Sequence, residues 1–422
     1  MRKILLASSA LVGVAMLAAP AFAGDLTVKL SGYDTAMLGF NDHTGESTAT
    51  DDDVKSNNVS MENLFDINVS VEGKGSNNLD YGAMISIWNG PNYSNAWTGG
   101  GSGRNPAGTQ FASTGSGVGA TEQQAYVWMS NNWGKAMFGD AHGASDLFVY
   151  APTVGTNQID GYYQQFENLA RDWRALPTFI DNNEDSTRIT YYTPKIAGFQ
   201  GGISWTPNLY AQGMTNSTSV GPLPTSPAGN STISNMYDNQ VQGAIAWSGS
   251  YDKANIKVSG LATEAQSNDD VFFAGAVTNH ALATDYLTLG LGAQVNYAGF
   301  TLGGSYSNGG HYDAAKGEDK PQDMWTAGLK YDMDKASFAI NGELGEGYDI
   351  AWGTGAGVAK SGDSASNPDY IRQYDALGFG ATYTWAPGLV SGVDVVFYNQ
   401  DGEYSSEGDS GVVAILSQRV NF

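Results

Sequence analysis

Between Tyr286 and Tyr297 the chain alternates strictly: Leu287, Leu289, Leu291, Ala293, Val295 and Tyr297 fall on one face, and Thr288, Gly290, Gly292, Gln294 and Asn296 on the other. A period of two is that of a β-strand, whose successive side chains point to opposite sides of the sheet. The same apolar rows recur at Phe65, Ile67, Val69, Val71; at Phe300, Leu302, Gly304, Tyr306; and at Trp325, Ala327, Leu329, Tyr331. Further rows are Phe338, Ile340, Gly342, Leu344; Leu377, Phe379, Ala381, Tyr383, Trp385; and Val393, Val395, Phe397. The residues between them are small or polar, so each segment has one oily face and one wet face.

Connections between these segments alternate in length. Short ones, rich in the residues that tight turns require, are Gly73 to Asn78, Asn131 to Gly134, Lys195 to Gly198, Ala298-Gly299, Asp332 to Lys335 and Pro387-Gly388. Long ones run from Asn41 to Ser60, Asn89 to Ala120, His142 to Glu184, Asn208 to Asp238, Gln266 to Thr284, Gly309 to Asp323, Asp349 to Tyr370 and Asp401 to Ser410. This is the rhythm of a membrane meander, with periplasmic turns at one end and external loops at the other; a propeller or soluble sandwich does not sort its loops so. The expected fold is all-β: a transmembrane antiparallel up-and-down β-barrel of about sixteen strands. Closure then requires the first strand, Leu26 to Leu38, to pair with the last, Val412 to Phe422.

The two ends agree with that reading. Arg2 and Lys3 precede an apolar run from Ile4 to Leu17 and then Ala21-Phe22-Ala23, the pattern of a cleaved secretory leader. The division expected is a signal peptide at 1–23 and a single barrel domain at 24–422. Beyond the leader no apolar stretch reaches the ~20 residues of a membrane helix, as a barrel predicts, since lipid-exposed backbone can be satisfied only within helices or closed sheets. The terminal Phe422, behind an alternating segment, points to outer-membrane assembly in a Gram-negative bacterium.

Composition adds two constraints. With no cysteine there is no disulfide framework or thiolate metal site. Acidic residues outnumber basic ones 43 to 20, a net charge of −23 that falls by two more when the leader leaves. Such a surface repels nucleic acid and draws cations. Basic residues are nevertheless placed selectively: by parity Lys29, Arg188, Lys257, Lys330, Arg372 and Arg419 lie opposite the oily rows and face the lumen. A cationic side chain turned to the bilayer midplane would cost ~2 to 4 kcal/mol, and all six avoid that face. Aromatic residues near strand ends (Tyr81, Trp128, Trp133, Trp205, Trp247, Tyr297, Tyr331, Trp385) suit interfacial girdles.

At this point the chain resembles the general-diffusion porins of Gram-negative bacteria, of the alphaproteobacterial and neisserial-like kind. The resemblance is carried by Asn183 to Pro207 (NEDSTRITYYTPKIAGFQGGISWTP), by Ala125 to Asp140 (AYVWMSNNWGKAMFGD) and by Phe422, although Gln418 stands where an apolar outward residue is usual. It implies a trimeric, sixteen-stranded channel whose third external loop, here His142 to Glu184, folds into the lumen as a constriction. Under that implication Asp146, Asp160, Glu167 and Asp172 line one side of the eyelet. Phe148, Tyr150, Tyr162, Tyr163 and Phe166 seat the loop, and Arg171 or Arg174 pins it by pairing with Asp172, Glu343 or Asp394. Acidic residues facing the basic wall would set a transverse field across the pore.

No catalytic constellation emerges. Gly353 to Ser361 (GTGAGVAKS) lacks the glycine that precedes the lysine of a phosphate loop, and the four histidines have no ligand spacing. The clusters Asp51-Asp52-Asp53 and Asp401 to Asp409 carry oxygen ligands of the type Ca²⁺ or Mg²⁺ takes, against the simpler reading of solvated charge; no cofactor is expected. The function expected is passive diffusion of small hydrophilic solutes and ions, with cation preference. The alternatives are a channel selective for a sugar or organic acid, and a barrel serving as adhesin or envelope anchor. The expected partners are membrane lipid, lipopolysaccharide and two further copies of the chain, with no nucleic acid.

Overall fold

The alternating segments close into one antiparallel barrel. The computed structural model describes residues 26–43, 58–88, 121–156, 166, 186–208, 237–267, 271–273, 276–278, 285–310, 322–348, 371–402 and 409–422. Its strands are β1 (Thr27–His43), β2 (Val59–Lys74), β3 (Asp80–Trp88), β4 (Thr121–Asn131), β5 (Gly134–Asp140), β6 (Thr187–Tyr192), β7 (Phe199–Asn208), β8 (Tyr237–Tyr251) and β9 (Ala254–Ser267). There follow β10 (Val271–Phe273), β11 (Ala276–Thr278), β12 (Tyr286–Tyr297), β13 (Phe300–Gly310), β14 (Gln322–Asp332), β15 (Ala336–Tyr348), β16 (Ile371–Ala386), β17 (Leu389–Gly402) and β18 (Asp409–Asn421). Strands β10 and β11 pair only with each other, in the long connection after β9; the other sixteen form the barrel, each beside its sequence neighbour. The closing pair is β1 with β18, in a register that sets Thr35 opposite Arg419 and Gly39 opposite Ile415. Beyond it Gly32 and Phe422 exchange two backbone hydrogen bonds at 2.9 and 3.0 Å, so the terminal residue itself seals the seam.

The turns follow from local chemistry. Ala298 and Gly299 both adopt left-handed backbone (φ 52° and 87°), as a two-residue hairpin turn matched to strand twist requires. Gly388 (φ 82°) follows Pro387, the proline-then-glycine order of a type II turn. One short turn, Asp252-Lys253 between β8 and β9, was not among those expected from composition.

Register places the oily rows outward. Leu289 and Phe338 are 49 % and 47 % exposed, while their alternate neighbours Thr288 and Ala339 are buried inside. Aromatic belts mark both rims of this outer band. Towards the short turns lie Phe199 with Trp247, Phe300 stacked on Tyr331 at 4.3 Å, and Tyr383 with Trp385. Towards the long loops Tyr306 meets Trp325 at 4.3 Å. Trp128 is a correction to the expected girdle: between outward Val127 and Met129 it turns inward, and Lys135 Nζ sits 5.2 Å from its ring centroid.

The outer band is uninterrupted on β12 to β15 and broken near the seam. Asp34 and Asn63 share outward parity with Leu38 and Met61, and Asn63 Nδ2 donates to Asp34 Oδ1 at 2.6 Å. Beside them Gln418, opposite Ala36 and Ser391, accepts from Ser391 Oγ at 2.6 Å.

Candidate pore constriction

The loop that enters the lumen begins where β5 stops. Gly139 takes left-handed backbone (φ 130°), and the Thr187 hydroxyl donates to the buried Asp140 carboxylate, which turns the chain off the wall. A 3-10 turn, Ala144–Leu147, follows against β6 to β8. From there the loop follows the inner wall, and side chains of the wall strands bond its backbone one after another. Tyr192 OH donates to Gly143 O (2.6 Å), Ala144 N to Ser204 Oγ (3.1 Å), Val149 N to Ser259 Oγ (2.8 Å), Gln294 Nε2 to Tyr150 O (2.6 Å) and Asn341 Nδ2 to Pro152 O (3.4 Å). At the far side Thr156 donates twice to Asp394 Oδ2, from its amide at 2.7 Å and its hydroxyl at 2.5 Å. The loop thus passes from β6 to β17 along the wall.

Small inward residues make room for it. A Cβ on Gly292 would stand 1.8 Å from Val149 O, one on Gly290 2.8 Å from the Phe148 ring, and one on Gly39 1.9 Å from the Phe166 ring. Apolar contacts complete the seating: Phe148 packs against Leu261, and Phe166 enters a buried cluster with Met37, Leu64, Tyr398 and Ile415. Phe148, Tyr150 and Phe166 therefore lie where the resemblance put them, against the barrel; Tyr162 and Tyr163 fall outside the described residues.

Of the acidic loop residues, Asp146 is exposed in the 3-10 turn, with its Oδ1 2.8 Å from His142 Nδ1. Asp160, Glu167 and Asp172 fall outside the described residues, as do Arg171 and Arg174 and the Asp51 to Asp53 cluster. Asp394 does hold the loop, through Thr156. Among the described residues no group of three or more His, Asp or Glu is arranged to hold a metal ion.

The six basic wall residues separate by level. Arg188 points inward, but the loop covers it: it is 1 % exposed, with Nε donating to Ser186 O (3.2 Å) and Nη1 to Gln242 Oε1 (3.4 Å). The same Gln242 oxygen accepts from Ser204 Oγ at 3.0 Å, and a Cβ on Gly143 would meet it at 1.9 Å, so this sector is closed to water. Arg372 lies at an inward register position opposite Gly347 and Gly402, towards the long loops. The other four lie towards the short turns. Lys29 pairs with Glu72 at 2.6 Å, Lys330 Nζ is 3.1 Å from Asp332 Oδ1, and Arg419 lies 3.7 Å over the Tyr33 ring while donating to Asn421. Lys29 and Arg419 are on paired strands but not at one level, since Arg419 faces Thr35.

Three of these obey a local rule. Ser259, Gly328 and Ser417 meet the loop or line a recess with it, and the next inward residue towards the short turns is Lys257, Lys330 and Arg419 respectively. They form a basic shelf just under the loop. Lys257 and Lys330 share a cavity of about 420 Å³ with Pro152 and Thr153 of the loop. Arg419 lines a smaller recess of about 60 Å³ with Gly155 and Thr156. Of the polar anchors of the loop, Asp394 is the one expected from the sequence, though as a partner of a loop arginine and not of Thr156; for Gln242, Ser259, Gln294 and Asn341 the only signal was a hydrogen-bonding side chain at an inward position in mid-strand.

A family model for the Gram-negative porin matches residues 7–403. An uncharacterized protein of Rickettsia conorii is 22 % identical over 71 % of this chain and 76 % of its own length. Among solved structures, an anion-selective porin from Comamonas acidovorans superposes with a TM-score of 0.55 at 14 % identity, covering 94 % of this chain and all of that one. OmpT of Vibrio cholerae, described in a trimer form, gives 0.53 at 10 % identity with the same coverage. At such identities the structural likeness is one of fold.

Proposed function

Because this chain belongs to the Gram-negative porin family, we propose that it is a general-diffusion channel of the outer membrane for small hydrophilic solutes and ions, with a preference for cations. The supporting observation is a loop fastened inside a closed barrel by wall side chains from β6 to β17, with a cavity of about 420 Å³ left beside Pro152 and Thr153. Such a channel needs a constriction and fixed charges, not catalytic groups. The excess of acidic over basic residues, 43 to 20, supports cation preference, because mobile counterions accumulate where fixed charge is negative. Export with loss of residues 1–23, and an outer face that meets lipid and lipopolysaccharide, complete the reading.

A homotrimer is part of the same proposal. The Asp34, Asn63, Ser391 and Gln418 side chains interrupt the oily band at the seam, where a protein neighbour satisfies polar groups and hydrocarbon does not. Cross-linking in native membranes should give a species of three chains, weakened by Asp34→Ala with Asn63→Ala.

Single-channel recording in planar bilayers tests the channel. We expect large ohmic steps, and a reversal potential of cation-selective sign under a KCl gradient. An anion-selective sign would overturn the preference alone. Block by one solute class would favour the substrate-selective reading, and no conductance the structural barrel.

A further inference from the structure

The cavity beneath Pro152 and Thr153 has a chemistry opposite to that of the whole chain. It is lined by Asn255 and Lys257 on β9, Gln294 and Asn296 on β12, Thr301 on β13 and Lys330 on β14, with Pro152 and Thr153 of the loop above them. Among the described residues Lys257 has no carboxylate within ion-pair distance, while Lys330 shares its charge with Asp332 on one side. Of the neutral groups, Gln294 and Asn296 already spend an amide N–H on Tyr150 O and Thr301 Oγ1, while Asn255 and Thr301 keep donors to offer. Asn255 Oδ1 already accepts from Ser250 Oγ (2.8 Å), which leaves its amide N–H groups to donate. Thr301 Oγ1 already accepts from Asn296 Nδ2 (2.8 Å), which leaves its hydroxyl hydrogen to donate. Two ammonium groups, with the Asn255 amide and the Thr301 hydroxyl able to donate beside them, define a receptor for oxygen anions.

Its position gives it a direction. Lys257 lies three residues past the Ala254 start of β9 and Lys330 two before the Asp332 end of β14, so both stand on the short-turn side of the loop. Solute arriving from the periplasmic mouth meets them before the constriction, whereas solute from outside must first pass the loop.

We propose that this cavity is a binding subsite for small oxyanions, carboxylate or phosphate in kind, entered from the periplasmic end of the pore. The subsite rests on the channel reading above and adds to it a transient anion stop inside a pore whose net charge favours cations. Occupancy at the shelf places negative charge next to the constriction and obstructs it, so a multivalent anion reduces the ion current.

The test uses the full mature chain in planar bilayers, in KCl, with sodium pyrophosphate added to one chamber at a time and disodium succinate as a second arm. Pyrophosphate should lower single-channel conductance from the periplasmic side at concentrations at least several-fold below those needed from the other side. The double variant Lys257→Gln with Lys330→Gln should raise the blocking concentration tenfold or more, with its conductance in KCl alone showing that the barrel is intact. Lys29→Gln, remote from the cavity, should leave block unchanged. Block by pyrophosphate alone assigns the site to phosphates, and block by both probes to oxyanions generally. Block equal from both sides, or unchanged in the double variant, overturns the subsite. Intact conductance without block by either anion also overturns it and leaves the channel standing, whereas no conductance at all fails the channel reading and the subsite with it.

Discussion

Arg188 and Lys257 are both basic, both inward by parity and both on the barrel wall, yet one is sealed under the loop and the other opens into the cavity beneath it. In the Arg188 sector the loop backbone lies on the wall from Gly143 to Leu147, and the guanidinium is spent on Gln242 and the Ser186 carbonyl. In the Lys257 sector the loop touches Ser259, one step nearer its own level, and leaves the next inward residue uncovered. Parity decides which side of the sheet a charge takes. The loop's path decides whether that charge meets water, and so whether it belongs to the fold or to permeation.

Several substitutions would break or sharpen this contrast. Arg188→Ala should have the largest effect: loss of two charge-assisted hydrogen bonds and a buried volume costs about 3 kcal/mol or more. The unfolding temperature in detergent should fall, while pyrophosphate block in the channels that remain should be that of the parent. Asp394→Ala comes next, because it removes the acceptor of both Thr156 bonds, about 2 to 3 kcal/mol of loop docking. Liposome swelling should then admit larger sugars, since the far end of the loop is released. Lys257→Gln should be the smallest in stability, within about 0.5 kcal/mol of the parent as for an exposed side chain. It should still move the reversal potential towards cations, which Arg188→Ala should not do.

Much of the barrel was legible in the residues. The rows through Leu289, Phe338 and Phe397 gave the outward face, the glycine and proline pairs gave most of the hairpins, and Gln418 stood out as a polar residue at an outward position. Trp128 departs from the girdle because its alternation with Val127 and Met129, not its nearness to a strand end, sets the side it faces. The path of the loop was not legible. Its anchors are separated by 110 residues for Val149 and Ser259 and by 238 for Thr156 and Asp394, and apart from Asp394, expected to meet a loop arginine, an inward serine or amide carries no mark of what will lie over it. The level of each basic residue was lost for the same reason: period two fixes a face and is silent about height along the bore.

The chain has no native cysteine, which makes single-cysteine accessibility the most direct measurement of the central claim, that one face of these strands meets lipid and the other an aqueous bore partly roofed by a loop. Three variants, Lys257→Cys, Arg188→Cys and Leu289→Cys, would be exposed to a negatively charged, membrane-impermeant thiosulfonate during single-channel recording. The account predicts a prompt stepwise change of current at position 257, a slow or absent one at 188 and none at 289. A prompt current change at Leu289→Cys, or none at Lys257→Cys, would contradict it.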